Sequence, residues 1–463
     1  MCSLQDDIDI EKKSKPQLKT CVKCKVANAE YLIRHAQYCK QCFTHTFVGK
    51  FRIIVSKSKF VVGRKECKPN VLLAFSGGPS SRALIHMMKD FHIGDNPEIK
   101  KKTILGNVKI CHVDESVVCG PEEGTLKQVQ DITSQYTFPF VGASLEDVFS
   151  SEYTESGDFE QVLRTATLSR DASAKNHDQL KAVLEDSSLT NREKIHALLS
   201  GVTKTTAKED LIAYLKNRLL LRIAQRENCS IILLGDSATR IAIKCIAYTS
   251  KGRGFSLPYD VATEIEAENG IGYLRPLRDC LTKEIGIYNH LNKLETVFVP
   301  TLTTGAPIKA SIDRLTEDFI TGLDRDFPST VSTVVRTASK LVPTESSEKN
   351  ERCAICLRPM QNGVSEWRER ITVMEMPHQE NNTATKSETN TSCGSGECCG
   401  ETCGAPKETG IDLLPSLCYG CQISARDMNS TILPPFMAER AIQAHNCESL
   451  REQISEFLID DSE

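Results

Sequence analysis

The stretch that most constrains the fold of this chain is a short apolar segment followed by a glycine turn. The apolar residues 71–75 predict a buried strand, and residues 82–88 carry apolar side chains at helical spacing. Ser76-Gly77-Gly78 lies between the two segments. Glycine lets backbone amides approach a phosphate, and a helix N-terminus favours negative charge. The stretch therefore predicts a phosphate-binding loop in an α/β protein, although the same turn also occurs in α/β proteins that bind no nucleotide.

Strand-like and helix-like segments alternate from residue 70 to about residue 343. This alternation predicts a doubly wound parallel sheet, with any ligand at the carboxyl ends of the strands. Further strands are predicted at 107–114, 138–141 and 230–235, and helices at 82–91, 126–136, 206–226, 237–248, 281–294, 312–323 and 330–341. Thr206 and Glu209 have the spacing of a capping box, which predicts that their side chains cap the helix that begins there.

Charge is distributed unevenly along the 463 residues. The net charge is −4, yet residues 12–68 contain fifteen Lys and Arg against two Glu, so this segment carries +13 and the remainder −17. A basic arm on an acidic body predicts a nucleic-acid-binding surface near the N-terminus, with a solvated linker as the alternative. Residues 43–62 are predicted to form strand-like segments that present cations. The candidate RNA-binding residues are Lys50, Arg52, Lys57 and Lys59.

Twenty cysteines indicate metal binding rather than disulfides if the chain is cytoplasmic. A cytoplasmic location is expected because the N-terminus is polar and acidic, unlike a signal peptide, and no apolar run approaches membrane-spanning length. Two Cys-x2-Cys pairs separated by fourteen residues predict a zinc ribbon, because four thiolates complete a tetrahedral zinc site. The predicted ligands of this structural zinc ion are Cys21, Cys24, Cys39 and Cys42.

A second zinc ribbon is predicted in the C-terminal part of the chain. Its two Cys-x2-Cys pairs are separated by sixty-one residues, and they enclose a low-complexity tract at 381–409. The predicted ligands are Cys353, Cys356, Cys418 and Cys421. The cysteines of the tract are alternative ligands, namely Cys393, Cys398, Cys399 and Cys403.

Three parts are predicted from these patterns. Residues 1–69 form a basic arm and the N-terminal ribbon, and residues 70–343 form the α/β domain with a polar insertion at about 150–203. Residues 344–463 form the C-terminal ribbon and a terminal helix at 438–458.

The glycine turn resembles the pyrophosphate loop, Ser-Gly-Gly-x-Asp-Ser, of ATP pyrophosphatases, with Ser80 at the Asp position. Together with the Cys-x2-Cys pairs, the strand end at Gly235 and the Arg-Pro-Leu segment at 275–277, the chain resembles the cytoplasmic tRNA 2-thiolation proteins, and among them the second of two subunits. The resemblance implies ATP-dependent replacement of oxygen by sulfur at C2 of the wobble uridine in tRNAs for lysine, glutamate and glutamine. It also implies a heterodimer with an active thiolase subunit, and sulfur from a thiocarboxylated ubiquitin-related modifier.

The chain departs from active members of this family at the positions that carry the chemistry. Active relatives resemble Gly-His-x-x-Asp-Asp after the fourth strand, whereas Thr239 and Arg240 stand at the acidic pair here. Active thiolases also carry a central Cys-x2-Cys and a third cysteine before a proline. This chain has no cysteine between Cys119 and Cys229, and Val299 precedes the proline. A thiolate is needed to accept sulfur or to hold an iron–sulfur cluster, so the resemblance implies a catalytically weakened copy.

The residues left for a degenerate nucleotide site are Ser76, Gly77, Gly78, Ser80, Ser81 and Asp114, of which Asp114 is the candidate magnesium ligand. We therefore expect a non-catalytic, tRNA-binding subunit, with ATP and magnesium bound weakly or supplied at the partner. One alternative is that the chain is itself an active adenylating tRNA sulfurtransferase. A second alternative is a zinc-ribbon RNA-binding scaffold without nucleotide, and nucleotide binding by the isolated chain distinguishes it from the other two.

Overall fold

The computed structural model describes residues 20–62, 68–92, 104–119, 125–150, 166–167, 189–267, 270–343, 352–371, 411–412, 416–428, 434, 436–437 and 440. The strands are β1 (Tyr31–Ile33), β2 (Ala36–Tyr38), β3 (Val71–Ala74), β4 (Val108–Asp114), β5 (Phe140–Ser144), β6 (Ala166–Thr167), β7 (Ile231–Leu233), β8 (Glu264–Glu266), β9 (Gly272–Leu274) and β10 (Ile411–Asp412). The α-helices are α1 (Lys40–Lys57), α2 (Pro79–His92), α3 (Ser116–Cys119), α4 (Thr125–Thr133), α5 (Asn191–Ser200), α6 (Thr205–Arg226), α7 (Ala238–Ser250), α8 (Leu257–Val261), α9 (Thr282–Leu291), α10 (Ile312–Asp326), α11 (Thr330–Ala338), α12 (Val364–Ile371) and α13 (Tyr419–Arg426).

A six-stranded sheet lies at the centre, in the spatial order β5-β4-β3-β7-β9-β8. Its neighbouring strands are parallel except at one edge, where β8 runs antiparallel to β9. In the middle strand β3, Val71 lies opposite Val108 of β4 and Ile231 of β7. The predicted α/β class with a parallel sheet is confirmed, and the antiparallel edge strand β8 was not predicted.

Apolar side chains cover both faces of the sheet. Val71 and Leu73 face one side, where they belong to the same buried cluster as Leu84 of α2. Leu72 points to the other side and shares its cluster with Leu215 of α6. Successive residues of a strand point to opposite faces, so a strand buried on both sides is apolar at every position. This explains why residues 71–75 are all apolar.

The basic segment after the N-terminal cysteines is helical, so the prediction of strand-like segments at 43–62 is wrong. Helix α1 covers Lys40–Lys57, and its buried residues are Phe43, Phe47, Phe51 and Val55. These residues are spaced by four, which places them on one face of a helix. The many aromatic and β-branched residues favour a strand locally. Burial of the four apolar side chains on one face stabilises the helix instead.

The predicted capping box at the start of α6 is also wrong. The N-cap of α6 is Lys204, without a side-chain cap. The Thr206 hydroxyl instead accepts a hydrogen bond from the backbone amide of Ile312 at 3.2 Å. The Glu209 carboxylate accepts one from the Thr303 hydroxyl at 2.7 Å. Both side chains therefore connect α6 to the segment around α10 rather than satisfying amides of their own helix.

The other predicted strands and helices of the α/β region are observed, with the third strand shifted to β5. The predicted insertion at 150–203 ends in α5, whose Ile195 and Leu198 are fully buried, and most of its remainder lies outside the described residues. The low-complexity tract with its cysteines and nearly all of the predicted terminal helix also lie outside them. Among the described helices, none is both long enough and apolar enough to cross a membrane.

Candidate functional site

The loop between β3 and α2 has a conformation that requires glycine. Gly77 has a φ of +83°, in the region that side chains rarely adopt. Its carbonyl oxygen accepts a hydrogen bond from the amide of Val297 at 3.0 Å. A Cβ on Gly77 would lie 3.1 Å from Cβ of Val297 and 3.4 Å from Cγ2 of Val299. The loop is therefore held from one side by the 297–299 segment.

A second glycine brings β7 against this loop. A Cβ at Gly235 would lie 3.2 Å from the backbone nitrogen of Ser81. The Ser81 hydroxyl donates to the carbonyl oxygen of Gly78 at 3.0 Å and lies 3.3 Å from the hydroxyl of Ser76. Ser76 is exposed, Ser80 is half-buried and Ser81 is buried. The hydroxyls of Ser76 and Ser81 thus form hydrogen bonds within the loop. Ser80 stands at the position where the loop of ATP pyrophosphatases has an aspartate.

Val299 precedes Pro300, at the position where the resemblance places the third cysteine of active thiolases. Its Cγ2 lies 3.4 Å from the position that a Cβ on Gly77 would occupy, so the side chain is close to the loop. An aliphatic side chain at this point can exclude water, but it can neither accept sulfur nor coordinate iron.

The described cysteines outside the two Cys-x2-Cys groupings are poor nucleophiles. Burial raises the pKa of Cys111 and Cys280 to about 12. It raises the pKa of Cys119 and Cys229 to about 11, and it also raises that of Cys245. The thiolate is the reactive form of cysteine. These thiols therefore behave as structural side chains.

The acidic pair of active relatives is replaced by groups that serve the fold. The Thr239 hydroxyl is buried and accepts a hydrogen bond from the amide of Thr282 at 3.3 Å. Arg240 is exposed, and its backbone amide donates to the hydroxyl of Ser237, the N-cap of α7. Arg240 cannot ligate magnesium, and the Thr239 hydroxyl lacks the negative charge of the carboxylate oxygens that magnesium prefers in proteins.

Asp236, directly after Gly235, is a nearby acid that sequence reasoning did not assign. Lys244 donates to both of its carboxylate oxygens at 2.8 and 2.9 Å, and Nε of Arg275 donates to one at 3.2 Å. Burial raises the pKa of Asp236, but the two cations outweigh this and hold it well below its usual value. No local pattern could reveal this group, because Arg275 follows thirty-nine residues later.

Asp114, the candidate magnesium ligand, lies at the carboxyl end of β4. One of its oxygens accepts from the Ser116 amide at 2.9 Å and the other from the Ser116 hydroxyl at 2.8 Å. Its carboxylate thus stabilises the start of α3. His112, two residues earlier, was not singled out from the sequence. Its Nδ1 lies 2.8 Å from the carbonyl oxygen of Phe75, which can only accept, so Nδ1 carries the proton and fixes the chain just before the loop.

The first four-cysteine cluster joins a turn to the start of α1. Cys21 and Cys24 precede β1, Cys39 is the N-cap of α1 and Cys42 lies in its first turn. The four sulfurs lie within 4.8 Å of one another, and the Cys24 and Cys39 sulfurs are 4.0 Å apart. A tetrahedral zinc with bonds of about 2.3 Å separates its sulfurs by about 3.8 Å. The donor set therefore fits a zinc ion.

The second cluster repeats this plan with α13. Cys418 is the N-cap of α13 and Cys421 lies in its first turn. Cys353 and Cys356 lie at a turn much earlier in the chain, at residues 353–356. The four sulfurs lie within 4.8 Å of one another, and those of Cys356 and Cys418 are 3.6 Å apart. The predicted ligands thus form two clusters that could each bind a metal ion. The alternative ligands in the low-complexity tract lie outside the described residues.

Each cluster shares negative charge among its sulfurs. Burial raises the pKa of Cys353, but hydrogen bonds from Cys356, Cys418 and Cys421 outweigh this and lower it well below its usual value. Hydrogen bonds with Cys353 and Cys356 raise the pKa of Cys418 and Cys421 well above the usual value of a thiol. A divalent cation would stabilise all four thiolates together, which protons shared between the sulfurs cannot do.

A buried arginine, Arg253, and a half-buried one, Arg358, lie near the second cluster. Arg253 donates to Asp210 at 2.8 Å and to the Ser424 hydroxyl of α13 at 3.4 Å. Burial lowers its pKa, but Asp210 and the nearby thiolates outweigh burial and raise it. Arg358 forms an ion pair with Asp260 at 2.6 Å. Burial lowers the pKa of Arg358, but the negative charges of Asp260 and Cys356 outweigh burial and raise it. Four thiolates around Zn²⁺ leave a net negative charge, which these guanidinium groups oppose.

The candidate RNA-binding residues do not form one surface stripe. Lys50 is drawn into the protein, where its Nζ lies 2.7 Å from Oε1 of Glu284. Arg52, Lys57 and Lys59 are exposed. Successive residues of a helix are rotated by about 100°, so Lys50 and Arg52 point to nearly opposite sides of α1. The structure therefore separates Lys50 from the exposed cations.

A family model described as Cytoplasmic tRNA 2-thiolation protein 2 matches residues 311–423. Over nearly its full length, the chain is similar to Cytoplasmic tRNA 2-thiolation protein 2 of Xenopus tropicalis. The two are 30% identical over 499 residues, which cover 96% of this chain and 95% of the relative. The chain belongs to the cytoplasmic tRNA 2-thiolation protein 2 family. The Homo sapiens member is 30% identical over 491 residues, covering 96% of this chain and 94% of its own length.

Two solved structures resemble this family member at lower sequence identity. One is the U34-tRNA thiolase NcsA from Methanococcus maripaludis with its 4Fe-4S cluster, at 15% identity and a TM-score of 0.44, covering 69% of this chain and 87% of that chain. The other is an NH3-dependent NAD synthetase from Campylobacter jejuni, at 12% identity and a TM-score of 0.28, covering 65% of this chain and 93% of that chain.

Proposed function

We propose that this chain is the non-catalytic, tRNA-binding subunit of a cytoplasmic tRNA 2-thiolation complex, beside an active thiolase subunit. The observation that carries the proposal is Val299, which precedes Pro300 and whose Cγ2 lies 3.4 Å from the position that a Cβ on Gly77 would occupy. The loop and the sheet that carries it are formed, whereas the groups that would perform the chemistry are replaced. The reaction is inferred from the name of the relatives. The replaced residues indicate that the partner subunit performs the catalysis and that this chain does not.

Thiolation of a uridine requires an activated carbonyl oxygen and a sulfur carried by a thiolate. Magnesium-bound ATP supplies the activation by transferring an adenylyl group to that oxygen. In this chain, the amides of Gly77 and Gly78 and the N-terminus of α2 can face a phosphate. Asp114 is engaged with Ser116, and Asp236 is engaged with Lys244 and Arg275. We therefore expect ATP and magnesium to bind weakly here or to act at the partner subunit.

The partner is expected to take sulfur from the thiocarboxylated ubiquitin-related modifier, because the described residues offer no suitable thiol near the loop. The modified base would be the wobble uridine, as 5-methoxycarbonylmethyl-2-thiouridine, in tRNAs for lysine, glutamate and glutamine. The chain and its partner would act together in the cytoplasm.

Zinc is the metal we expect at both four-cysteine clusters, as a structural ion. The first site would hold the β1–β2 hairpin against α1, and the second would hold the 352–360 segment against α13. All-cysteine tetrahedral sites leave no open position for a substrate. Their function here would be to fix surfaces that contact tRNA or the partner.

Phosphate contacts from the N-terminal region would supply most of the tRNA affinity. Exchange of Arg52, Lys57 and Lys59 to Glu should weaken tRNA binding and flatten its dependence on salt, because fewer counterions are released. Lys50 is left unchanged in this variant, since its ion pair with Glu284 joins α1 to α9. The matched control reverses three exposed cations of the acidic body, Lys309, Arg336 and Lys340. Equal losses in the two variants would mean that only total charge matters.

Pyrophosphate release by the purified chain tests the absence of catalysis. The chain alone, with ATP, magnesium and unmodified tRNA, should release no more pyrophosphate than a Gly77→Ala variant. Robust release that Gly77→Ala abolishes would favour the alternative in which the chain is itself an adenylating sulfurtransferase.

The scaffold alternative gains support from the hydroxyls of the loop, since Ser81 bonds to Gly78 rather than facing outward. Equilibrium dialysis of the isolated chain with ATP distinguishes it. Undetectable binding at millimolar ATP would favour the scaffold, and weak binding lost in Gly77→Ala would favour the degenerate nucleotide site.

A further inference from the structure

We propose that a cleft beside the first four-cysteine cluster binds one unpaired nucleotide of RNA, a proposal that rests on the tRNA binding proposed above. The cleft lies between the β1–β2 hairpin, α1 and the start of α9, and it has a volume of about 440 Å³. Small-ligand sites typically enclose about 300–1,000 Å³. The space is therefore of the size that a single nucleotide requires.

The floor of the cleft is apolar and aromatic. It is formed by Ile33, Phe43 and Phe47, each no more than 6% exposed, with half-buried Tyr38 beside them. Proteins that bind unpaired RNA bases place the extruded base against aromatic or guanidinium planes. Phe43 and Phe47 stack on each other, and Phe47 also stacks on Tyr288, so the half-buried ring of Tyr38 is the aromatic side chain of the cleft that can contact a base.

The rim of the cleft is polar and carries a cation without an ion pair among the described residues. Arg34 occupies the two-residue turn of the β1–β2 hairpin with a φ of +54°, and its Nε is buried without a hydrogen-bond partner there. The other cation of the rim, Lys50, is neutralised by Glu284. Arg34 is thus the group placed to contact a phosphate.

Glu284 gives the cleft an acceptor for the edge of a base. One of its oxygens accepts from Lys50 and the other from the amide of Leu281. A carboxylate oxygen can accept more than one hydrogen bond, so a base N–H can be accommodated. An apolar floor, an acceptor and a guanidinium without an ion pair among the described residues together match a nucleotide better than a purely apolar or purely anionic ligand.

The test uses the full chain and a short single-stranded RNA that carries one 2-aminopurine, whose fluorescence falls when the base stacks. Ala36→Phe fills the cleft with all charges unchanged, and phenylalanine suits the strand position. Arg34→Asn removes the cation with a residue that tolerates positive φ. The control Lys25→Asn removes an exposed cation of the same cluster region, at a φ of +57°.

Wild type should quench the fluorescence, and Ala36→Phe should abolish the quenching. Arg34→Asn should weaken affinity about tenfold because a phosphate contact is lost, whereas Lys25→Asn should change it less than about twofold. Quenching by Ala36→Phe equal to wild type, or equal losses in Arg34→Asn and Lys25→Asn, would overturn the proposal. Free uridine monophosphate that binds as tightly as the RNA would overturn it in favour of a mononucleotide site. Metal content and melting temperature verify that each variant folds.

These results are separable from the proposed function. If the chain quenches the RNA probe but does not support thiolation by a partner, the cleft proposal stands and the proposed function is wrong. If the chain supports thiolation but Ala36→Phe quenches the probe as wild type does, only the cleft proposal is wrong.

Discussion

Asp210 is the side chain whose loss should most disturb the attachment of the C-terminal cluster. It lies on α6, 5% exposed, with one oxygen 2.9 Å from Nζ of Lys251 and the other 2.8 Å from a terminal nitrogen of Arg253. Arg253 continues to Ser424 of α13. Asp210→Asn keeps the volume and removes the charge, so two buried cations lose their common counterion.

The magnitude follows from the partners that remain. Removal of one member of a buried ion pair costs about 3–5 kcal/mol, because the other charge stays buried and unpaired. Lys251 retains Asp313, and Arg253 retains its contacts with Ser424 and the ring of Tyr214. We therefore expect the lower end of that range, about 3 kcal/mol, for Asp210→Asn.

Asp313→Asn is the matched control, because Asp313 binds the same lysine from a position where its side chain is 32% exposed. Its loss should cost about 1 kcal/mol or less. Urea unfolding in excess zinc measures both variants, and chelator-driven metal release should be faster for Asp210→Asn. Equal stabilities of the two variants would refute the view that Asp210 holds Arg253 beside the cluster.

Three further expectations concern the metal sites, the loop and the buried thiols. Cys418→Ser should reduce bound zinc from two ions per chain to one by elemental analysis, whereas Cys245→Ser should leave two; unchanged metal in both would exclude the second site. Gly77→Ala should lower the free energy of unfolding in urea by about 1–2 kcal/mol, because Gly77 has a positive φ. Gly49→Ala in α1, with open space around it, should raise this free energy by about 0.5–1 kcal/mol. The opposite order would contradict the loop geometry. Cys280, with a pKa raised to about 12 by burial, should resist alkylation at mildly alkaline pH until urea is added, and rapid alkylation of the folded chain would disprove that burial.

The features predicted correctly from sequence are those with a local cause. The apolar run at 71–75 predicted the central strand because both of its faces are buried, and the Cys-x2-Cys spacings predicted both clusters because each pair lies on one turn. The prediction failed at 43–62, where strand-favouring residue types outweighed the four-residue spacing of Phe43, Phe47 and Phe51. The ion pair between Lys50 and Glu284 joins residues 234 positions apart. No pattern in the sequence reveals such a pair, so the loss of Lys50 from the basic surface was not foreseeable.

The central claim is that this chain is needed for thiolation but does not perform it. Reconstitution tests it most directly, with purified chain, a thiolase subunit carrying an intact Ser-Gly-Gly-Lys-Asp-Ser loop, the thiocarboxylated modifier, ATP, magnesium and unmodified lysine tRNA. Wobble 2-thiouridine, measured by mass spectrometry, should form at full rate with both subunits, be nearly absent with the partner alone and be absent with this chain alone. Thiolation by this chain alone, or at the full rate by the partner alone, would contradict the account.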